Sequence, residues 1–218
     1  MPDAGGIAAI VLAAGASRRF GAEKLLHPVT LHGITMPLAA HSLLPWLEIF
    51  GQTTVVVRTE SQVLRYALET ALGVPRSSAI HWLVCADAAQ GMASSLACGV
   101  LANCNAGGWL IGLADMPAIP AAAITGVKNA LLAGAEMAAP FTSEGKRGHP
   151  VGFASVYRDE LLKLQGDSGA RGLLERDKSK IVPIKIDNNG IFSDIDMPSD
   201  LHKLVKLKST LQSKDSED

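Results

Sequence analysis

The chain has 218 residues, 48% of them hydrophobic and 19% charged, and a mean hydropathy of +0.22, which excludes a disordered chain and suits one large, self-folding α/β domain. Lys plus Arg (20) nearly balance Asp plus Glu (21), so no net field points to nucleic acid or an anionic membrane, and any anion site must be local. Cys85, Cys98 and Cys104 are an odd set without C-x-x-C spacing, which argues against a disulfide framework or a zinc site; with no basic leader in MPDAGG and no apolar run near the roughly 18 residues of a membrane span, a soluble cytoplasmic protein is expected.

Residues 7–14 form an unbroken apolar run bounded by Gly6 and Gly15, the pattern of a strand buried on both faces. In the loop that follows, Gly15, Ala16, Ser17 and Gly21 let backbone N–H groups approach an anion, while Arg18, Arg19 and Lys24 bring positive charge. It is not a Walker loop, because Lys24 is followed by Leu25, nor a dinucleotide fingerprint, because Ala16 and Ser17 follow Gly15. A glycine turn with solvated arginines accounts for it as well as a polyphosphate site does. Further along, helical spacing covers 37–50, a β-branched strand 54–57, and a helix capped by Ser61 carries Val63, Leu64, Ala67, Leu68, Ala71 and Leu72 as core until Gly73 and Pro75 stop it. Strands are predicted at 80–86, 108–114, 136–141, 148–154 and 181–186. Helices are predicted over the GMASSLACGVLAN stretch and at 121–132, 157–164, 168–176 and 198 to about 211. The polar stretch 142–147 reads as hairpin-like, and Asn188 to Gly190 as a reversal. Alternating strands and helices through the first two-thirds predict a mostly parallel sheet covered on both faces, and no linker or shift in composition divides residues 1–211, which a polar tail at 212–218 follows.

Ligands of open α/β sheets gather beyond the carboxyl ends of strands, which singles out polar residues directly after apolar runs. Asp115 follows WLIGLA and precedes Met116-Pro117; it is a rim carboxylate or a plain turn residue. Asp194 and Asp196 lie two apart, on one face if extended, and Asp196 is a metal ligand, a helix cap, or both. Asp115 with Asp196 would suit a hard cation such as Mg²⁺ shared with substrate phosphates, in a site built for phosphoryl or nucleotidyl transfer. Gly91, Ser94 and Ser95 are open to a nucleotide contact or to an ordinary helix start. The cluster Lys146, Arg147 and His149 and the loop GDSGAR, with Asp167 and Arg171, are open to a second anionic substrate or to solvent.

The motifs LAAGASRRFGAEKLL, GMASSLACG, GLADMP, RGHPVGF, GDSGARGLL and DIDMPSDL, in that order over nearly the whole chain, resemble the MobA-like NTP transferase family. Within it they are closest to the molybdenum cofactor cytidylyltransferase type. The resemblance implies a single three-layer α/β/α domain, Rossmann-like, with a mixed, mainly parallel sheet of the nucleotide-diphospho-sugar transferase-like kind, and transfer of CMP from CTP to molybdopterin with release of pyrophosphate. It implies that Leu12, Ala13, Ala14 and Gly15 lie against base and ribose, that Ser17, Arg18 and Lys24 contact the triphosphate, that Asp115 and Asp196 hold Mg²⁺, and that His149, Asp167 and Arg171 face the pterin. It also implies a molybdoenzyme or its chaperone as partner. Related guanylyltransferases read Leu-Ala-Gly-Gly where this chain has Leu12-Ala13-Ala14-Gly15, which leans toward a pyrimidine nucleotide; Met197 stands where this branch more often has Thr. The alternatives are GTP-dependent guanylyl transfer, another phosphorylated acceptor, and a non-catalytic nucleotide or cofactor binder.

Overall fold

The computed structural model describes residues 5–15, 19–21, 23–202 and 204. Its strands are β1 (Ile7–Leu12), β2 (Pro28–Leu31), β3 (Ile34–Pro37), β4 (Thr53–Val57), β5 (Ile80–Val84), β6 (Gly108–Leu113), β7 (Met137–Phe141), β8 (Val151–Ala154) and β9 (Ile181–Lys185). The helices are α1 (Leu38–Phe50), α2 (Gln62–Leu72), α3 (Val74–Ser77), α4 (Met92–Ala102), α5 (Ala121–Leu132), α6 (Arg158–Leu162) and α7 (Arg171–Arg176). Seven strands make one sheet in the order β5-β4-β1-β6-β8-β7-β9, and β2 pairs with β3 separately. Only β8 runs antiparallel to its neighbours in that sheet.

Strand β1 is buried along its whole length and supplies both faces. Ile7, Ala9 and Val11 join the core beneath α1, α2 and α5, with Leu43, Leu68 and Ile124. Ala8, Ile10 and Leu12 join the opposite core beneath α4, α6 and α7, with Leu96, Leu161 and Leu173. The period-2 alternation of a strand thus divides one apolar run between two helix layers, giving the three-layer α/β/α architecture.

Several boundaries differ from the sequence expectation. Strand β1 ends at Leu12, the last residue in register with Val56 of β4 and Leu113 of β6, and Ala13 N–H makes the closing ladder bond to the Val56 carbonyl (2.8 Å). Ser61 caps α2 through Leu64 N–H at 3.1 Å; Leu64, Leu68 and Leu72 are buried and Ala71 packs against the core, but Val63, expected there too, is 66% exposed. The β2–β3 hairpin has no counterpart in the sequence reading. Its signal is a two-residue His32-Gly33 turn with both φ positive (50° and 79°), the geometry of a tight hairpin turn. The final predicted helix begins as a short 3₁₀ turn, Pro198–Asp200, and most of its remainder and the tail lie outside the described residues. Asn188 opens another 3₁₀ turn, Asn189–Phe192, by accepting Gly190 N–H at 2.7 Å, and among the described residues no strand follows it.

Candidate active site

Strands β1 and β6 pair in parallel from Ile7 opposite Gly108 to Leu12 opposite Leu113, so both end at the same sheet edge. Two residues past Leu113 stands Asp115, and Lys24, in a 3₁₀ turn over Lys24–Leu26, reaches it from the opening loop. Lys24 is only 7% exposed. Its Nζ lies 2.8 Å from Asp115 Oδ2 and 3.5 Å from Asp196 Oδ1, and Arg19 Nη1 lies 3.3 Å from Asp196 Oδ2.

Asp196 comes from far along the chain and is fixed by its neighbour. Ile195 is fully buried in a small core with Phe20, Val29, Leu31, Leu38 and Leu204, and its N–H donates to the Asp115 carbonyl at 3.0 Å. The β2–β3 hairpin contributes Val29 and Leu31 to the apolar socket that seats Ile195 between Asp194 and Asp196. Asp196 does not cap the following turn. The Asp200 carboxylate does so, accepting the N–H groups of Asp196 (2.9 Å) and Met197 (2.8 Å), which leaves the Asp196 side chain to Lys24 and Arg19.

Burial raises the Asp115 pKa above its ordinary value. Lys24 opposes the shift by charge and hydrogen bond, and Asp194 and Asp196 add to it. Asp115 Oδ1 is buried without a hydrogen-bond partner.

Beside this cluster lies a cleft of about 450 Å³. Leu12, Met92, Leu96, Ile111, Leu113 and Met116 contribute an apolar lining, and Lys146, Arg147, His149, Asp167, Arg171 and Asp194 a polar one. Lys146 Nζ sits 4.2 Å from the centre of the Phe192 ring, and Arg147 pairs with Glu175 at 3.2 Å. Burial, reinforced by the Arg147 charge and resisted by Asp194, lowers the His149 pKa to about 4, so the ring is neutral at physiological pH. Its Nδ1 is buried and has no partner.

A family model described as the MobA-like NTP transferase domain matches residues 9–181. The chain belongs to that family. It is thereby a nucleotidyltransferase, and relatives extend the match. Purine catabolism protein PucB of Bacillus subtilis (strain 168) is 30% identical over 198 residues, 88% of this chain and 92% of PucB. The crystal structure of Rv0371c from Mycobacterium tuberculosis H37Rv has the same fold, with a TM-score of 0.73 at 23% identity over 93% of this chain and 99% of that one. A manganese complex of Rv0371c scores 0.68 at 21% identity, with the same shares covered. Molybdopterin-guanine dinucleotide biosynthesis protein A from Archaeoglobus fulgidus scores 0.55 at 20% identity over 94% of this chain and 99% of that one.

In this MobA-like transferase, Lys24, Asp115 and Asp196 meet in one cluster, and His149, Asp167 and Arg171 line one cleft with Leu12. Ser17 and Arg18 lie outside the described residues. Ala14 is 6% exposed, packs in the core cluster that holds Ala88 and Leu96, and does not line the cleft. Ala13 is half-buried and Gly15 exposed. Ser95 is buried within α4, Ser94 accepts from Cys85 Sγ through its carbonyl at 3.6 Å, and Gly91 faces Gly166. Sequence reasoning passed over Arg58, whose Nε donates to the Ala14 carbonyl at 3.4 Å. The signal was available, since Arg58 directly follows the apolar run of β4, as Asp115 nearly follows β6.

Among the described residues no cluster of three or more His, Cys, Asp or Glu side chains suits a metal. Two carboxylates with one orphaned oxygen do fit an ion such as Mg²⁺ that completes its shell with substrate phosphates and water. Nor, among the described residues, is any helix long and apolar enough to cross a membrane.

Proposed function

We propose that the chain transfers CMP from CTP to a molybdopterin-type acceptor and releases pyrophosphate, in the cytoplasm and in the service of a molybdoenzyme or its chaperone. The observation that carries this reading is the juxtaposition of the buried Lys24–Asp115–Asp196 cluster with a cleft whose floor is apolar and whose rim carries Lys146, Arg147 and Arg171. Such a cleft suits a flat heteroaromatic body ending in a phosphate. Similarity to the Archaeoglobus molybdopterin-guanine dinucleotide biosynthesis protein A supports a pterin acceptor, and the manganese complex of Rv0371c supports a divalent cation.

In the step, an oxygen of the acceptor's terminal phosphate bonds to the α-phosphorus of CTP. The bond from that phosphorus to the bridging oxygen breaks, and pyrophosphate departs with the electron pair. Mg²⁺, held by Asp115 and Asp196, would neutralise triphosphate charge when bound. Lys24 offers its ammonium to charge building on the α-phosphoryl oxygens. Arg147 and Arg171 hold the acceptor phosphate, and neutral His149 lines the cleft on the side given to the pterin. Ser17 and Arg18 are assigned to the triphosphate, and Ala14, through the course of its loop, to selection of cytosine.

Pyrophosphate release tests this reading with CTP, GTP, ATP and UTP, each with and without Mg²⁺ and molybdopterin. Release is expected only when CTP, Mg²⁺ and molybdopterin are present together. A preference for GTP would move the assignment to guanylyl transfer, equal use of all four nucleotides would remove the base assignment, and release with none would remove the reading.

A further inference from the structure

We infer that Gly91 is a positioning residue for the acceptor side of the site, acting through the loop that carries Asp167 and leads into Arg171. The inference rests on the acceptor role given to the cleft above. Gly91 stands immediately before α4 with φ +123°, a conformation strained for any residue with a side chain. A Cβ at Gly91 would lie 2.4 Å from the Gly166 carbonyl oxygen and 2.6 Å from Asp167 Oδ1. That carbonyl is backbone and cannot swing aside alone. It is also the acceptor for Ala93 N–H at 3.0 Å. A third contact closes the interlock, because a Cβ on Gly169 would lie 3.1 Å from Met92 Sδ.

Downstream, the Ser168 carbonyl accepts Arg171 N–H at 3.1 Å where α7 begins. The placement of residues 166–169 thus sets where Asp167 and Arg171 enter the cleft they line. The side of Gly91 on which a Cβ would stand is filled by Gly166 and Asp167. A single methyl at Gly91 forces the acceptor loop outward and leaves Lys24, Asp115 and Asp196 where they are.

Gly91→Ala is expected to raise the KM for molybdopterin about tenfold, the scale of a misplaced binding group, with the KM for CTP within about twofold of wild type. Gly172→Ala, which adds a methyl in α7 with nothing within 4 Å of it, should leave both values unchanged. Hydrogen exchange of the free protein should accelerate across 166–171 in Gly91→Ala and nowhere near Asp115. A rise confined to the KM for CTP, or unchanged exchange at 166–171, would overturn the inference. If Gly91→Ala fails to fold, exchange of the wild type decides: molybdopterin should protect 91–93 and 166–171 together, and protection of 91–93 by CTP alone would overturn it. Absence of turnover by the wild type would count against the proposed function, while the free-protein comparison would still judge the interlock.

Discussion

Replacing Lys24 by Ala is expected to lower the rate of pyrophosphate release by about 10² to 10³, the usual loss when one preorganised charge-stabilising group is removed. Lys24 is buried and its Nζ serves Asp115 at 2.8 Å and Asp196 at 3.5 Å, whereas the exposed Arg19 pairs with Asp196 at 3.3 Å. A variant within tenfold of wild type would end the account of the site. Stability should also fall, but by less than the about 3–5 kcal/mol that removing one partner of a fully buried ion pair costs. Burial already raises the Asp115 pKa, so without Lys24 the carboxyl is more readily protonated, which offsets part of the cost of a bare charge.

The sign of the pH dependence follows. A carboxyl whose folded pKa is raised binds more protons folded than unfolded, so it favours the folded state at low pH, and that contribution is lost as pH rises through the folded pKa. Losing Lys24 raises that pKa further. The melting-temperature deficit of Lys24→Ala should therefore be larger at pH 8 than at pH 5, and a deficit independent of pH would contradict the role of Asp115. In the wild type the same shift predicts that the acid limb of activity lies above the ordinary aspartate value of 3.8.

Trp46→Ala is expected to cost about 3–5 kcal/mol, or a fall in melting temperature of about 10 °C for a chain of this size. Trp46 is 1% exposed, stacks on Phe50 with ring centres 6.2 Å apart and planes 19° from parallel, and presses on β6 at Gly112. A Cβ on Gly112 would lie 2.1 Å from the Trp46 ring, so Gly112→Ala overpacks the same contact. The pair forms a double-mutant cycle: Gly112→Ala should be much less harmful in a Trp46→Leu background, and additive losses would show that the ring and the strand are not in register. Asp115 lies three residues past Gly112, so Trp46→Ala should also weaken nucleotide binding through a loosened strand end.

The comparison of sequence with structure turns on distance along the chain. Asp115 was legible because its cause is local: an apolar run that must be buried ends, and the next polar group is left at the sheet edge. The two-faced burial of β1 was legible for the same reason, since a period of two with apolar residues at every position leaves no face for water. The hairpin β2–β3 was missed because its strands are short and half-exposed, and its turn uses His32 in a conformation usually given to Asn or Gly. Val63 was misplaced because helical spacing marks a stripe without fixing its edge.

Propensity, caps and alternation of neighbouring residues were enough to specify the class of fold and the opening loop as a candidate anion site. What brings Lys24 to Asp196, 172 positions away, is the burial of Ile195 in the socket of the hairpin, a long-range event without local trace. The placement of β8 between β6 and β7 is likewise tertiary, because edge pairing is chosen by the packed sheet as a whole. So is the interlock of Gly91 with Gly166, where two glycines far apart in the chain matter only because their backbones touch.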